Sequence, residues 1–205
     1  MPRELRELGE YVAAKMGKCI LSHEVVKKEL CVTVERESLA KLLSILHDDA
    51  NCMFTVLVDI CGVDYPDRAE RFEVVYNLLS MKLNKRIRVK VNTSADLPVP
   101  TAVHVHPSAG WFEREVWDMY GVFFSDNPDL RRILTDYGFD GHPFRKDFPL
   151  TGYVEMRYDE SQKRVIYEPV QLQQAYRSFD YTSPWEGAPD YVLPGDEKAT
   201  QGDAA

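Results

Sequence analysis

The part of this sequence with the clearest capacity for chemistry is a cluster of charged residues among aromatic ones. Glu113, Glu115 and Asp118 lie around Arg114 in a run rich in Trp and Tyr. Two carboxylates with separated pKa values could act as general acid and base, but such a pair also needs a pocket. Because buried charges require partners, ion pairing is the favoured interpretation. Three arginines further along the chain could serve as these partners: Arg131, Arg132 and Arg145.

Two histidines and four cysteines are the other residues that could bind a metal. His104 and His106, two apart on a possible strand, would share one face, but no further ligand is suggested nearby, so an ordinary polar surface is expected. The cysteines form no C-x-x-C pair, and each lies in or beside an apolar segment: Cys19, Cys31, Cys52 and Cys61. They are expected to be buried as small hydrophobic residues rather than to bind zinc or a cluster.

The signatures of common cofactor sites and nucleophiles are absent from the sequence. There is no P-loop, no dinucleotide-binding glycine pattern, no H-E-x-x-H and no G-x-S-x-G. We therefore expect no catalytic, cofactor-binding or metal-binding residue in this chain. An acid/base enzyme that acts alone stays open as an alternative, and it would use Glu113, Glu115, Asp118 and His142.

Composition restricts the classes of partner. The chain has 205 residues, 44% of them hydrophobic, which is enough for a folded core. Its net charge of -8 opposes binding to nucleic acid or to an anionic membrane surface. No apolar run approaches the roughly 20 residues that cross a bilayer, and no signal or transit segment is visible. A bacterial cytoplasmic protein, or a processed organelle protein, is the expectation.

Periodicity predicts the elements that position these residues. The first half is predicted to contain, in order, a helix at 3–16, a hairpin of strands 18–22 and 30–34, a helix carrying Leu39, Leu42, Leu43 and Leu46, and strands at 53–61, 72–78 and 82–91. The order α-β-β-α-β-β-β predicts an α/β (α+β) two-layer domain with helices on one side of a mixed sheet. The apolar strand 53–61 is expected to be central and buried on both faces.

Strand 82–91 is predicted to have one basic face, formed by Lys82, Arg86, Arg88 and Lys90. One interpretation is a solvated edge strand whose charges prevent aggregation. The other is a docking surface for an acidic partner.

The rest of the chain is predicted to be less regular. Ser108 could cap a short helix ending near Tyr120, with its aromatic residues as core anchors: Trp111, Phe112, Trp117 and Tyr120. Loops rich in Gly, Pro and Arg follow, and then a hairpin of residues 153–158 and 164–168. We expect a domain at 1–95, a helix and loop region at 96–150 packed on it, and an extended arm at 151–205, of which about the last ten residues are disordered.

The arm is unusually aromatic for a segment with little periodicity. Its eight large rings are Tyr153, Tyr158, Tyr167, Tyr176, Phe179, Tyr181, Trp185 and Tyr191. Such side chains favour burial, and Tyr and Trp dominate interface hot spots. The arm is therefore expected to lie on its own domain or on another subunit. A homo-oligomer that exchanges this arm between protomers is a further alternative.

Four stretches of the sequence resemble the C-subunit (30 kDa subunit) family of proton-pumping NADH:quinone oxidoreductase, respiratory complex I. The first runs from Trp111 through Glu113, Arg114, Glu115, Asp118 and Tyr120 to Gly121 and Val122. The second includes Arg131, Arg132, His142, Pro143, Arg145, Lys146 and Asp147. The last two, around Tyr167 and Trp185, are similar to the C-terminal arm of the family.

This resemblance implies a hydrophilic peripheral-arm subunit that carries no redox cofactor. FMN, iron-sulfur clusters and quinone would be held by other subunits of the complex, which transfers electrons from NADH to quinone and translocates protons. The implied partners are the quinone-site D subunit and the cluster-bearing B and I subunits. The implied place is the cytoplasmic side of the bacterial inner membrane, or the mitochondrial matrix side, with membrane contact only through the complex.

Overall fold

The computed structural model describes residues 2–177, and predictions about Phe179, Tyr181, Trp185, Tyr191 and the end of the chain lie outside them. The helices are α1 (Pro2–Met16), α2 (Leu39–Asp48) and α3 (Ala109–Tyr120). The strands are β1 (Ile20–Val26), β2 (Glu29–Val34), β3 (Val56–Asp64), β4 (Phe72–Ser80), β5 (Lys85–Thr93), β6 (Val99–Pro100), β7 (Phe124–Ser125), β8 (Val154–Asp159) and β9 (Arg164–Pro169). The predicted order α-β-β-α-β-β-β is confirmed.

A five-stranded mixed sheet organises the first compact unit, Met1–Gly152. Its order is β1-β2-β5-β4-β3, in which β2 and β5 are parallel and the other neighbours are antiparallel. The buried sides of α1 and α2 share one apolar core with alternate residues of the sheet, including Val32, Val89 and Tyr76, which lie side by side on three strands. The predicted two-layer α/β class is therefore confirmed, as are both predicted hairpins.

The prediction for residues 53–61 was wrong about the position of the strand. β3 lies at the edge of the sheet, and Val56 and Val58 are 37% and 43% exposed. Part of the apolar run belongs instead to the turn before the strand, where Phe54 is fully buried and its N–H bonds the carbonyl of Leu46 at 2.8 Å. The apolar residues before Val56 are therefore explained by the packing of this turn against α2, and they do not indicate a central strand.

The prediction of a solvated edge strand at residues 82–91 was also wrong. β5 is the central strand, and its residues Arg86, Arg88 and Lys90 lie on the face of the sheet that points away from the core, whereas Lys82 lies in the turn before the strand. There Arg88 pairs with Glu29 at 2.8 Å and Lys90 with Glu73 at 3.0 Å. Carboxylates on neighbouring strands therefore compensate the charges of Arg88 and Lys90, an arrangement that sequence alternation cannot distinguish from exposure to solvent.

The second compact unit begins at Tyr153, and its described part is the β8–β9 hairpin with a short continuation to residue 177. Within residues 2–177, no helix combines the length and the apolar character needed to cross a membrane.

Gly62 gives a direct test of the packing of α3 on β3. A Cβ atom at Gly62 would lie 2.6 Å from the ring of Tyr120. Gly62→Ala should therefore lower the free energy of unfolding by roughly 1–3 kcal/mol, because the ring has to move. Gly110→Ala is the matched control, since its nearest side-chain neighbour is 3.6 Å away, and it should be neutral or slightly stabilising in α3. Equal stability of the two variants in urea unfolding would contradict this packing.

Candidate functional site

Helix α3 ends at a glycine for two separate reasons. Gly121 has φ +77°, a left-handed conformation that glycine adopts without strain, and its N–H bonds the carbonyl of Trp117 at 2.8 Å. In addition, a Cβ atom there would meet the side chains of Arg145 and His142. At the other end, Ser108 precedes the helix but makes no side-chain cap hydrogen bond, so the predicted capping role was wrong.

The buried side of α3 is charged rather than aromatic. Glu113 and Asp118 are fully buried and Arg114 is 7% exposed. Trp111 is 63% exposed, so its predicted role as a core anchor was wrong, whereas the other aromatic residues of the helix are half-buried. These polar side chains therefore point into the protein, where each needs a hydrogen-bonding partner.

Asp118 is the centre of the arrangement, and we call its set of contacts the Asp118 hub. Its carboxylate accepts five hydrogen bonds: from Arg132 Nη1 at 2.8 Å, Thr135 Oγ1 at 2.6 Å, and the N–H groups of Ile133, Leu134 and Thr135 at 2.8–3.0 Å. Burial by itself would raise the pKa of Asp118, but these hydrogen bonds outweigh it and hold the pKa well below its usual range. A permanent carboxylate thus organises a chain segment that has no regular structure.

Arg114 holds the same segment from the other side. Its Nε donates to the carbonyl of Arg131 at 3.0 Å and its Nη2 to that of Arg132 at 2.9 Å. The guanidinium also lies 5.0 Å from the centre of the Trp111 ring. Asp118 thus satisfies the N–H groups of residues 133–135 and Arg114 the carbonyls of residues 131 and 132, where a helix or strand would otherwise supply hydrogen bonds.

Glu113 faces a different part of the chain. Its carboxylate accepts hydrogen bonds from Thr101 Oγ1 at 2.6 Å, from the N–H of Ala102 at 2.7 Å and from Asn127 Nδ2 at 2.7 Å. Burial raises the pKa of Glu113, and the three hydrogen bonds oppose that rise only in part. Glu113 therefore connects the segment before α3 with the segment after it.

The C-terminal carbonyls of α3 are satisfied by a third segment. His142 Nδ1 lies 2.9 Å from the carbonyl oxygen of Asp118, the N–H of Phe144 donates to that of Met119 at 3.0 Å, and Arg145 Nε to that of Tyr120 at 2.7 Å. A helix leaves its last carbonyls without partners, so these contacts cap it from outside. They also determine the path of residues 142–145.

A second buried carboxylate extends the arrangement to the sheet. Asp64, at the end of β3, bonds Arg71 at 2.6 and 2.8 Å and accepts the N–H of Lys146 at 2.7 Å. Arg71 also pairs with Asp147 at 2.8 Å. The hydrogen bond from Arg71 holds the pKa of Asp64 below its ordinary value, although burial acts in the opposite direction. Residues 146 and 147 are thereby connected to the end of β3 and to the residue that precedes β4.

The structure brings together most of the residues singled out in the sequence. Eleven of them meet around α3 or at its C-terminal end: Trp111, Glu113, Arg114, Asp118, Tyr120, Gly121, Arg132, His142, Arg145, Lys146 and Asp147. Pro143 lies between them and is half-buried. Glu115 is exposed, and Arg131 pairs with exposed Asp129 at 3.0 Å. Tyr167 is on β9, and Trp185 lies outside the described residues.

The predicted partners were only partly right. Asp118 does pair with Arg132, but Arg145 binds a carbonyl, so its expected carboxylate partner was wrong. Sequence reasoning missed several partners that only the fold brings near: Asp64, Arg71, Thr101, Asn127 and Thr135. A carboxylate at the end of an apolar strand, as at Asp64, is the one local signal in the sequence that indicates such a partner.

The prediction that both histidines lie on a polar surface was wrong for His106. His104 is exposed in a turn, whereas His106 is buried against His47, with ring centres 5.4 Å apart. Burial, followed by the neighbouring His47, lowers the pKa of His106. No group of three or more potential metal ligands occurs within residues 2–177. Of the cysteines, Cys31 and Cys52 are buried and the other two are half-buried.

Geometry does not favour an acid/base pair. Glu113 and Asp118 bond different segments, and Glu115 points to a cleft of about 120 Å³ beside β3 whose lining includes none of Glu113, Asp118 and His142. In the alternative acid/base enzyme these carboxylates would have to act together, but Glu113 and Asp118 are bonded to separate segments and Glu115 lines a different cleft.

Large apolar side chains are exposed on and after α3. Leu134, Tyr137, Phe144 and Leu150 are 52–94% exposed, in addition to Trp111. They are carried by the segment that Asp118, Arg114 and Asp64 hold in place. A fixed backbone that presents exposed aromatic and aliphatic side chains is typical of a protein interface.

The β8–β9 hairpin also has one apolar and one polar face. Register places Val154, Met156 and Tyr158 on the same face as Val165 and Tyr167, and all five are 51–59% exposed. The opposite face carries the Arg157–Glu168 pair at 3.0 Å. An isolated two-stranded hairpin is marginally stable in water, so an apolar face of this kind is expected to pack on another surface.

Comparison with known proteins gives consistent results. The family model described as "Respiratory-chain NADH dehydrogenase, 30 Kd subunit" matches residues 32–154. The C subunit of NADH-quinone oxidoreductase from Paramagnetospirillum magneticum is 62% identical over 200 residues, covering 97% of this chain and 100% of that protein. The equivalent C subunit from Rhodospirillum rubrum is 60% identical over 198 residues, covering 95% and 93%. A chain in the structure of the membrane-bound sulfane sulfur reductase, an archaeal respiratory membrane complex, aligns with TM-score 0.61 and 26% identity, covering 78% of this chain and 98% of that one.

Removal of the Asp118 charge should be strongly destabilising. Asp118→Asn keeps the shape of the side chain but replaces one acceptor oxygen by a donor that faces other donors. We expect a loss of roughly 2–4 kcal/mol in the free energy of unfolding, measured by urea denaturation of the purified chain. Glu115→Gln, on the exposed side of the same helix, is the control and should change stability by less than about 0.5 kcal/mol. Similar losses for both variants would contradict the role of the hub.

The stability difference between wild type and Asp118→Asn should depend on pH. The pKa of Asp118 is lower in the folded protein than in the unfolded chain, so the hub contributes stability that is fully present above the unfolded pKa, about 3.9, and is lost as pH falls through the folded pKa. The difference between wild type and Asp118→Asn should stay constant from about pH 8 to pH 5 and decrease below about pH 4. A difference that stays constant to about pH 3 would show that the carboxylate charge is not the cause.

Proposed function

Because the chain belongs to the respiratory-chain NADH dehydrogenase 30 kDa subunit family, we propose that it is a scaffold subunit of NADH-quinone oxidoreductase that contributes surfaces rather than catalytic groups. In this proposal it connects the quinone-site subunit with the iron-sulfur subunits of the peripheral arm. The complex transfers electrons from NADH to quinone and couples the transfer to proton translocation.

The observation that carries the proposal is how the charged residues of α3 are used. Glu113, Arg114 and Asp118 are buried, and their hydrogen-bonding capacity goes into holding Thr101, Ala102, Asn127 and the backbone of residues 131–135. Groups occupied in this way are not available to bind substrate. What they support is a fixed segment with exposed Leu134, Tyr137 and Phe144, a surface suited to another protein.

Partners and cofactors follow from the same proposal. FMN, the iron-sulfur clusters and quinone are assigned to other subunits, and the chain contacts the D, B and I subunits. It lies peripherally on the cytoplasmic side of the bacterial inner membrane, or on the matrix side in an organelle. The related chain in an archaeal respiratory membrane complex supports a place within an assembly of this kind.

Purification of the complex tests the proposal directly. A tagged copy of this chain should recover flavin, cluster and membrane subunits from detergent-solubilised native membranes, with NADH:quinone activity that rotenone-type inhibitors block. The purified chain alone should have no such activity. Recovery of the chain by itself, either as a monomer or as a stable homo-oligomer, would contradict the proposal.

The apolar hairpin face should be needed for assembly. Met156→Glu places a charge on that face and should weaken binding to the complex about tenfold or more, measured as the amount of chain retained on purified membranes. Gln162→Glu adds the same charge in the exposed hairpin turn and should leave retention unchanged. Equal retention of the two variants would exclude the hairpin face as an interface.

The arm provides a second test. A chain that ends after Val170 should keep the stability of the unit that precedes Tyr153 but should no longer assemble, because the proposed arm contacts with the D subunit are lost. Circular dichroism and purification of the complex measure the two effects separately. Normal assembly of the truncated chain would remove the arm from the proposal.

A further inference from the structure

Two turns that contain lysine meet at one end of the five-stranded sheet. The β1–β2 turn consists of Lys27 and Lys28, and the β4–β5 turn spans residues 81–84. Because β2 and β5 are parallel neighbours, with Leu30 opposite Ile87, the residues just before them come together. The turns and the first turn of α1 enclose a cleft of about 390 Å³, lined by Glu4, Leu5, Lys27, Lys28, Glu29, Leu83, Asn84, Lys85 and Arg86.

The charges in this cleft are not balanced. Lys27, Lys28, Lys85 and Arg86 make no ion pair within residues 2–177, whereas Arg88 and Lys90 on the same central strand are both paired. Of the two carboxylates in the cleft, Glu29 already bonds Arg88 at 2.8 Å, and Glu4 also has a partner. Four cations without carboxylate partners at one site are notable in a chain whose net charge is -8. The repulsion between them is relieved when an anion binds.

The backbone of the first turn supports a role for the lysine charges. Lys27 has φ +47° and Lys28 φ +71°, in a two-residue hairpin turn that Asn and Gly adopt far more easily. A left-handed conformation is strained for a residue with a Cβ atom. Two adjacent lysines therefore do not stabilise this turn by themselves.

We propose that this end of the sheet, which we call the cationic cleft, binds an Asp- and Glu-rich segment of a neighbouring subunit. This inference rests on the proposed function and adds a contact that involves neither α3 nor the β8–β9 hairpin. Two apolar side chains flank the cleft and supply apolar contact for a peptide: Val26, which is 39% exposed, and Met81, which is 70% exposed. Docking here explains why the charges of Lys85 and Arg86 on the central strand have no partner in the described part of this chain.

The cleft is less suited to a phosphate ligand. Phosphate sites commonly use free N–H groups at a helix N-terminus or several arginine forks. Here Arg86 is the one arginine among the lining residues, and the other cations of the lining are lysines. Lysines act as flexible point charges and suit separated carboxylates along a peptide.

Carbodiimide crosslinking of the purified complex tests the proposal, because it forms an amide only between an amine and a carboxylate in contact. Mass spectrometry should find Lys27, Lys28 or Lys85 joined to Asp or Glu of another subunit. Crosslinks from these lysines only to carboxylates of this chain, or no crosslinks, would overturn the proposal. If the wild-type chain fails to purify with the complex at all, it is the proposed function that fails.

A double variant separates folding from binding. Lys27→Asn with Lys28→Gly removes two charges and places favoured residues in the turn, so the chain should be at least as stable as wild type. Its affinity for complex lacking this chain should fall about fivefold, the order expected for two partly exposed charge pairs, and should depend less on salt. Lys18→Gln with Lys41→Gln removes the same charge from other exposed positions and should have no effect.

Two further outcomes would overturn the proposal. One is equal affinity of the two double variants for the complex. The other is binding of wild-type chain, but not of the Lys27→Asn, Lys28→Gly variant, to ATP or to vesicles of anionic phospholipid, since that would assign the cationic cleft to phosphate groups rather than to an acidic peptide.

Discussion

The constraint on which the rest of the structure depends is that backbone N–H and carbonyl groups must be hydrogen-bonded even where there is no helix or strand. Residues 126–152 contain no regular element, yet they carry several of the exposed apolar side chains of the first unit. The carboxylate of Asp118 and the guanidinium of Arg114 satisfy groups of this segment from inside the fold. Their burial is unfavourable by itself, and the hydrogen bonds they complete compensate for it.

This arrangement explains why charged residues lie inward on α3 while Trp111 is exposed. An apolar helix face could pack on the sheet, but it could not fix an irregular segment in one conformation. Buried ionic groups have directional requirements and therefore select one arrangement of the chain around them. The Asp64–Arg71–Asp147 group has the same effect at the sheet. A fixed interface lowers the entropy lost on binding, which suits a protein whose proposed role is to hold other subunits in register.

The layer order and both hairpins could be predicted from sequence because helical and alternating periodicities are local signals. The order of the strands could not be predicted from sequence, because the alternation in β5 is the same whether its charged face meets solvent or the carboxylates of β2 and β4. For the site, resemblance identified the segment, and opposite charges suggested the Asp118–Arg132 pair. The role of Thr135, and the N–H groups that complete the hub, depend on a loop path that no periodicity describes.

Above all, we infer that residues 131–135 are fixed by this chain itself and not by its partners. Amide hydrogen exchange of the isolated chain, compared with the chain in the assembled complex, measures this most directly. We expect that the N–H groups of Ile133, Leu134 and Thr135, which bond Asp118, are already protected in the isolated chain and that assembly adds little protection. Free exchange in the isolated chain, with protection only in the complex, would show that the segment folds on binding and would contradict this inference.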